Sequence, residues 1–67
     1  MKGYTTYKVV EGINLIKNGF QSYSTKGNTA LGKLIKQTQK EMPGHVVWYD
    51  VLDASKGKVA IVIKRVA

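Results

Sequence analysis

Leu31, Leu34, Ile35, Thr38 and Met42 fall on one stripe at helical spacing, and Lys33, Lys36 and Lys40 recur at i, i+3 and i+7 on another face. The pattern predicts a helix near residues 29–42, within the stretch Asn28 to Met42. Asn28 or Thr29 caps its start, and Pro43-Gly44 stops it, because a residue before proline is pushed out of the α region. Gly32 in the first turn lowers helix propensity by about 1 kcal/mol relative to alanine, so it is either tolerated or kept for a close neighbour.

Further along, His45 to Asp53 and Lys58 to Val66 are rich in Val, Ile, Trp and Tyr and read as a β-hairpin. The intervening Ala54-Ser55-Lys56-Gly57 is a loop in which Gly57 is free to take a positive φ. With Asp53 facing Lys58, one face carries Val46, Trp48, Leu52, Val59, Ile61 and Ile63. The other carries Val47, Tyr49, Val51, Ala60 and Val62. A sheet apolar on both faces needs cover on both sides, and one helix cannot supply it twice. The pattern therefore asks for a second helix, for dimerisation, or for both.

The N-terminal segment supports two readings. Tyr4 to Val10 alternates as a strand does, and Asn18-Gly19 is a strong hairpin dipeptide. Val9, Val10, Ile13 and Ile16 also form a helical stripe, with Thr5 or Thr6 as cap and Gly19 as the left-handed residue past the end. The helix over residues 6–18 is the reading followed here, which leaves residues 20–25 as a short strand in the same sheet. The order becomes α-β-α-β-β: an α+β, two-layer sandwich of two helices on a small mixed sheet, in a single domain over 1–67.

Length and charge then narrow the function. Sixty-seven residues bury only about 60% of the surface that the unfolded chain exposes, so the core is marginal unless something adds to it. There is no cysteine, which closes the disulfide route, and one histidine with four carboxylates leaves little for a metal cage. The same scarcity of reactive groups argues against an enzyme, and no cofactor or metal is expected. No apolar run approaches a membrane span, and Met1 to Thr6 lacks the apolar stretch of a signal peptide. A cytoplasmic, soluble protein without membrane contact is expected. Eleven basic side chains against four acidic ones give a net charge of +7, which serves no folding purpose and favours a polyanion or an acidic protein partner.

The candidate binding residues follow from that charge. Lys26, Gly27 and Asn28 stand where a strand hands over to a helix start, and free backbone N–H groups there favour phosphate. A plain left-handed turn before a cap would need the same residues. Lys33, Lys36 and Lys40 would extend a phosphate track, or else form an ordinary solvated face. Lys56 and Lys58 flank the hairpin turn, and Lys64 and Arg65 end the last strand, where basic residues also deter edge aggregation. Arg65 is the only arginine, so the bidentate reading of guanine is scarce and phosphate contacts dominate. Trp48 and Tyr49 either stack on bases or split between core and interface. His45, beside Pro43-Gly44, reads as an exposed loop residue and not as a ligand.

Three stretches resemble the Alba superfamily of small basic nucleic-acid-binding proteins, whose fold is β-α-β-α-β-β. They are Asn14-Leu15-Ile16-Lys17-Asn18-Gly19, then Lys26-Gly27-Asn28-Thr29-Ala30-Leu31-Gly32-Lys33-Leu34-Ile35, then Lys58-Val59-Ala60-Ile61-Val62-Ile63-Lys64-Arg65. The second is similar to the family's basic–glycine loop running into a helix of small, aliphatic and lysine residues. Together they span roughly residues 5–66. The chain departs in having no room for the family's first strand and in a hairpin loop shorter than the family's arms. The resemblance implies a nucleic-acid binder, duplex DNA before RNA, acting as a homodimer. It implies that Lys2 is the basic residue before the first helix and that the hairpin tracks the duplex backbone. The alternative is a small regulatory or inhibitory module docking on an acidic protein.

Overall fold

The computed structural model describes residues 3–13, 15–17, 20–21, 25 and 29–66. Strand β1 (Thr5–Val10) is followed by two short strands, β2 (Ile16–Lys17) and β3 (Phe20–Gln21). Helix α1 (Ala30–Glu41) leads to β4 (His45–Asp53), a 3-10 turn over Ala54–Lys56, and β5 (Lys58–Arg65). The long strands form a three-stranded antiparallel sheet in the order β1-β5-β4, and β2 and β3 pair separately. The fold is a small α+β arrangement in which α1 and the segment through Leu15 lie against the same side of the sheet.

The helix forms where its periodicity predicted. Thr29, in extended backbone, caps it by accepting a hydrogen bond from the Gly32 N–H at 2.9 Å. Leu31, Gly32 and Thr38 are buried, and Leu34 and Ile35 pack beside them. Thr38 is wholly buried because its hydroxyl donates to the Leu34 carbonyl at 2.9 Å, which removes the cost of hiding a polar group.

The described residues between 6 and 17 do not form the expected helix over 6–18. Thr5 and Thr6 are strand residues, not caps, and Thr5 to Val10 pair along β5 from Ile63 to Val59. The β-branched run Thr5, Thr6, Val9 and Val10 favours this pleated, half-buried setting over a helix. Gly12, at φ 80°, then turns the chain out of any regular path. Of the expected strand over 20–25, Phe20–Gln21 is a strand, and it pairs with Ile16–Lys17 and not with the main sheet. Asn14, Asn18, Gly19 and residues 22–24 lie outside the described residues. The sheet is antiparallel throughout, where a mixed one was expected.

The hairpin occurs as expected, and Asp53 does face Lys58, but the expected face assignment is wrong. The register shifts by one between Val51 and Asp53, leaving Leu52 as the extra residue of a bulge. Above that bulge Val47, Tyr49 and Val51 share a face with Ile63, Ile61 and Val59, while Val46 and Trp48 go with Lys64 and Val62. A single inserted residue exchanges the partners of a whole strand, since side chains alternate with a period of two. A second bulge, at Tyr7, interrupts β1.

Leu15, Leu31, Val47, Val59 and Ile61 make the buried core, between the sheet and α1. The hairpin loop helps hold the N-terminal segment there. Gly12 N–H donates to the Lys56 carbonyl at 3.2 Å and Ile13 N–H to the Gly57 carbonyl at 3.1 Å. Gly57 is left-handed, at φ 61°, and a Cβ on it would lie 2.7 Å from the Ile13 nitrogen and closer still to its carbonyl oxygen. Glycine is needed there twice over, for its backbone angle and for the contact.

Candidate nucleic-acid interface

The buried stripe of α1 fixes where its lysines point. At about 100° per residue, Lys33, Lys36 and Lys40 fall within an arc of roughly 60°, centred opposite Leu31, Leu34, Ile35 and Thr38. All three are exposed and face away from the sheet. Their Cα positions span about 10 Å along the axis, at 1.5 Å per residue. The first helical turn carries no acidic residue and Lys33 lies in it, so a cation sits at the positive end of the helix dipole. That arrangement costs the helix a little stability and makes this end attractive to an anion.

The carboxylates are placed elsewhere. Glu41 Oε1 accepts a hydrogen bond from the Tyr7 hydroxyl at 3.1 Å and stands 4.0 Å from Lys8 Nζ. The hydrogen bond to Glu41, with its negative charge, raises the Tyr7 pKa above its usual 10.0. Asp53 turns back on the hairpin loop, accepting from the Ser55 hydroxyl at 2.6 Å and the Ser55 N–H at 3.1 Å. The Ser55 hydroxyl bond lowers the Asp53 pKa first of all, and the nearby Lys58 adds to that. Lys8–Glu41 is the only ion pair within 4.0 Å among the described residues, so the three helix lysines keep their charge uncompensated.

The sequence-derived site does not come together on one surface. Lys33 and Lys36 point out from the helix layer. Lys56 is exposed in the 3-10 turn, where its carbonyl holds Gly12. Lys58 is half-buried and, with Ala60, Val62 and Lys64, faces the side of the sheet away from α1. Lys2, Lys26, Gly27 and Asn28 lie outside the described residues. The helix row and the β5 lysines therefore lie on opposite sides of the molecule, and a straight duplex touches one or the other.

Some features had no reading in the sequence. Lys64 Nζ sits 6.0 Å over the Tyr4 ring, and Lys8 Nζ 5.7 Å over the Tyr7 ring. Lys64 and Tyr4 are 60 positions apart, and the β1–β5 pairing brings them together. Trp48 and Tyr49 do split between faces, with Tyr49 against the core and Trp48 exposed, their ring centroids 5.1 Å apart. His45 Nδ1 lies 3.1 Å from the Pro43 carbonyl at the turn. Among the described residues no group of three or more histidine and carboxylate side chains is gathered as a metal site, and no helix is long and apolar enough to cross a membrane. No protein-family model, curated protein or solved structure matches this chain.

Proposed function

We propose that this chain is a non-enzymatic, cytoplasmic nucleic-acid-binding protein that grips phosphate backbone with little sequence preference and works as a homodimer. The observation that carries the reading is the row Lys33, Lys36 and Lys40, exposed on the outer side of α1 with no carboxylate within 4.0 Å among the described residues. Such a row costs folding free energy through self-repulsion and returns it only when a polyanion is bound. The proposal includes an Alba-like mode of binding, in which Lys26, Gly27 and Asn28 present backbone N–H groups to a phosphate at the approach to α1. Lys2 and Lys56 add further contacts, whereas Lys58, on the side of the sheet away from α1, is left out of that duplex. The chain's order, β-β-β-α-β-β, differs from the family's at the second element, where β2 stands instead of a helix. The reading therefore leans on the lysine row more than on the likeness.

The test is a gel-shift series with duplex DNA, single strands and structured RNA across salt concentrations. Lys33→Ala, Lys36→Ala and Lys40→Ala should each weaken binding to unrelated sequences alike. On duplex DNA each should flatten the log–log salt slope by about 0.9 per protomer contact. Lys8→Ala should do far less, because Glu41 already compensates that charge. If no nucleic acid shifts at about 50 mM salt, where electrostatic binding is strong, the phosphate reading is wrong. Docking on an acidic protein then replaces it.

A further inference from the structure

The side of the sheet away from α1 is apolar, and its outer-strand side chains are exposed. Val9, Val46 and Trp48 expose 49%, 40% and 38% of their surface, and Ala60 and Val62 form its floor at 3% and 4%. Both coverings of the sheet, α1 and the segment through Leu15, lie on the other side. A three-stranded sheet with one apolar face open is a binding surface or an aggregation hazard.

We propose that a second copy of this chain covers it, sheet against sheet, about a two-fold axis lying along the Trp48–Val62 row. The register supplies the argument. Trp48 stands opposite Val62, and Val62 opposite Thr6. On one side of that row lie Asp50, Ala60 and Val9; on the other lie Val46, Lys64 and Tyr4. A two-fold about the middle row lays each outer row over the other. Asp50 of one copy then lies over Val46 of the second with Lys64 on the adjacent strand within reach, and Val9 lies over Tyr4, each contact occurring twice. Among the described residues neither Asp50 nor Lys64 has an opposite charge within 4.0 Å, so the face carries both halves of an ion pair that a second copy completes. Valine, alanine and one tryptophan suit the interdigitated packing of two sheets about 10 Å apart. A nucleobase platform would call for several aromatics. The face measures roughly 14 by 20 Å, from three strands and six residue steps. That is small beside standard interfaces of about 800 Å² per partner, so the dimer is of modest affinity and dissociates on dilution.

This inference rests on the dimeric part of the proposed function and needs nothing from nucleic-acid binding. Sedimentation equilibrium from about 10 to about 500 µM should show wild-type mass rising from 7.4 kDa towards twice that value. Trp48→Arg and, independently, Val9→Lys should hold the mass at 7.4 kDa with unchanged circular dichroism. Asp50→Lys should weaken the dimer about tenfold or more, and adding Lys64→Asp should restore it. A wild type at 7.4 kDa throughout overturns both the dimer and its interface. A dimer that survives Trp48→Arg and Val9→Lys overturns the interface alone. So does quenching of Trp48 emission by a single-stranded oligonucleotide together with loss of that binding in Trp48→Arg, since the face would then hold bases.

Discussion

The two faces of the sheet are made from the same kinds of residue and end in opposite situations. On one, Val47, Val59 and Ile61 lie under α1 and Leu15 with 4%, 0% and 0% exposure. On the other, Val9, Val46 and Trp48 on the outer strands stay open by a third to a half, and only Ala60 and Val62 on the central strand are buried between them. Hydrophobicity does not separate the two sets. What separates them is the path of the chain, which brings both α1 and the Gly12–Leu15 segment to the same side, and the Leu52 bulge, which decides which half of β4 faces that side. Buried area stabilises the monomer only where the connections deliver a covering element.

Mutations that treat the two faces alike should break that symmetry most sharply. Ile61→Ala removes atoms from a fully buried position against α1 and should cost about 3 kcal/mol of unfolding free energy. Val46→Ala on the open face should cost the dilute monomer about 0.5 kcal/mol or less, by urea denaturation under the same conditions. Equal losses would mean that the open face is covered within one chain. Gly57→Ala tests the clasp that holds the N-terminal segment on the covered side. A left-handed alanine pressed on the Ile13 backbone should cost about 2 kcal/mol, and the Gly12 and Ile13 amides should lose hydrogen-exchange protection. Thr29→Ala removes the cap from the covering helix and should cost about 1 kcal/mol.

The smallest expected effect belongs to the link between α1 and the β1 edge. Tyr7 donates to Glu41, so its neutral form is favoured in the folded chain and its pKa is raised. The contribution is present below the ordinary tyrosine range and is lost as pH rises through the raised value. Ultraviolet titration should show a tyrosine step raised above the usual 10.0 in wild type, and that raised step should be lost in Glu41→Gln. Asp53 works in the opposite sense, because its pKa is lowered. What it contributes is present above the usual aspartate range and is lost as pH falls through the lowered value.

What the sequence made legible was local. α1, its stop at Pro43-Gly44, the hairpin and its Gly57 turn all depend on residues within a few positions of one another, and each lies within a residue or two of where periodicity put it. The segment from Thr5 to Val10 carried a helical stripe and a strand pattern at once, and pairing with β5 some fifty residues away decided between them. The faces of β4 were misread because a bulge is an insertion in the pairing and leaves no mark in the alternation itself. Of the candidate site, Lys33, Lys36 and Lys40 were legible because a helix face can be drawn from spacing alone. That Lys58 points to the other side of the molecule depended on register, which spacing does not contain.

The pairing of β1 with β5 also sets an order of events for the folding chain. β4 and β5 meet across a loop of a few residues, whereas Val10 reaches Val59 only after nearly fifty residues have been brought round. Closing the longer loop costs about 2 kcal/mol more in chain entropy, so the hairpin is in place early and β1 arrives late. A ribosome makes these elements in the reverse order, and residues 5–10 must wait for a partner translated some fifty residues later. Through that interval the far edge of β5 is unpaired, and the β1 of any neighbouring nascent chain fits it as well as its own does. Strand exchange between two such chains is the misfolding route that this topology leaves open.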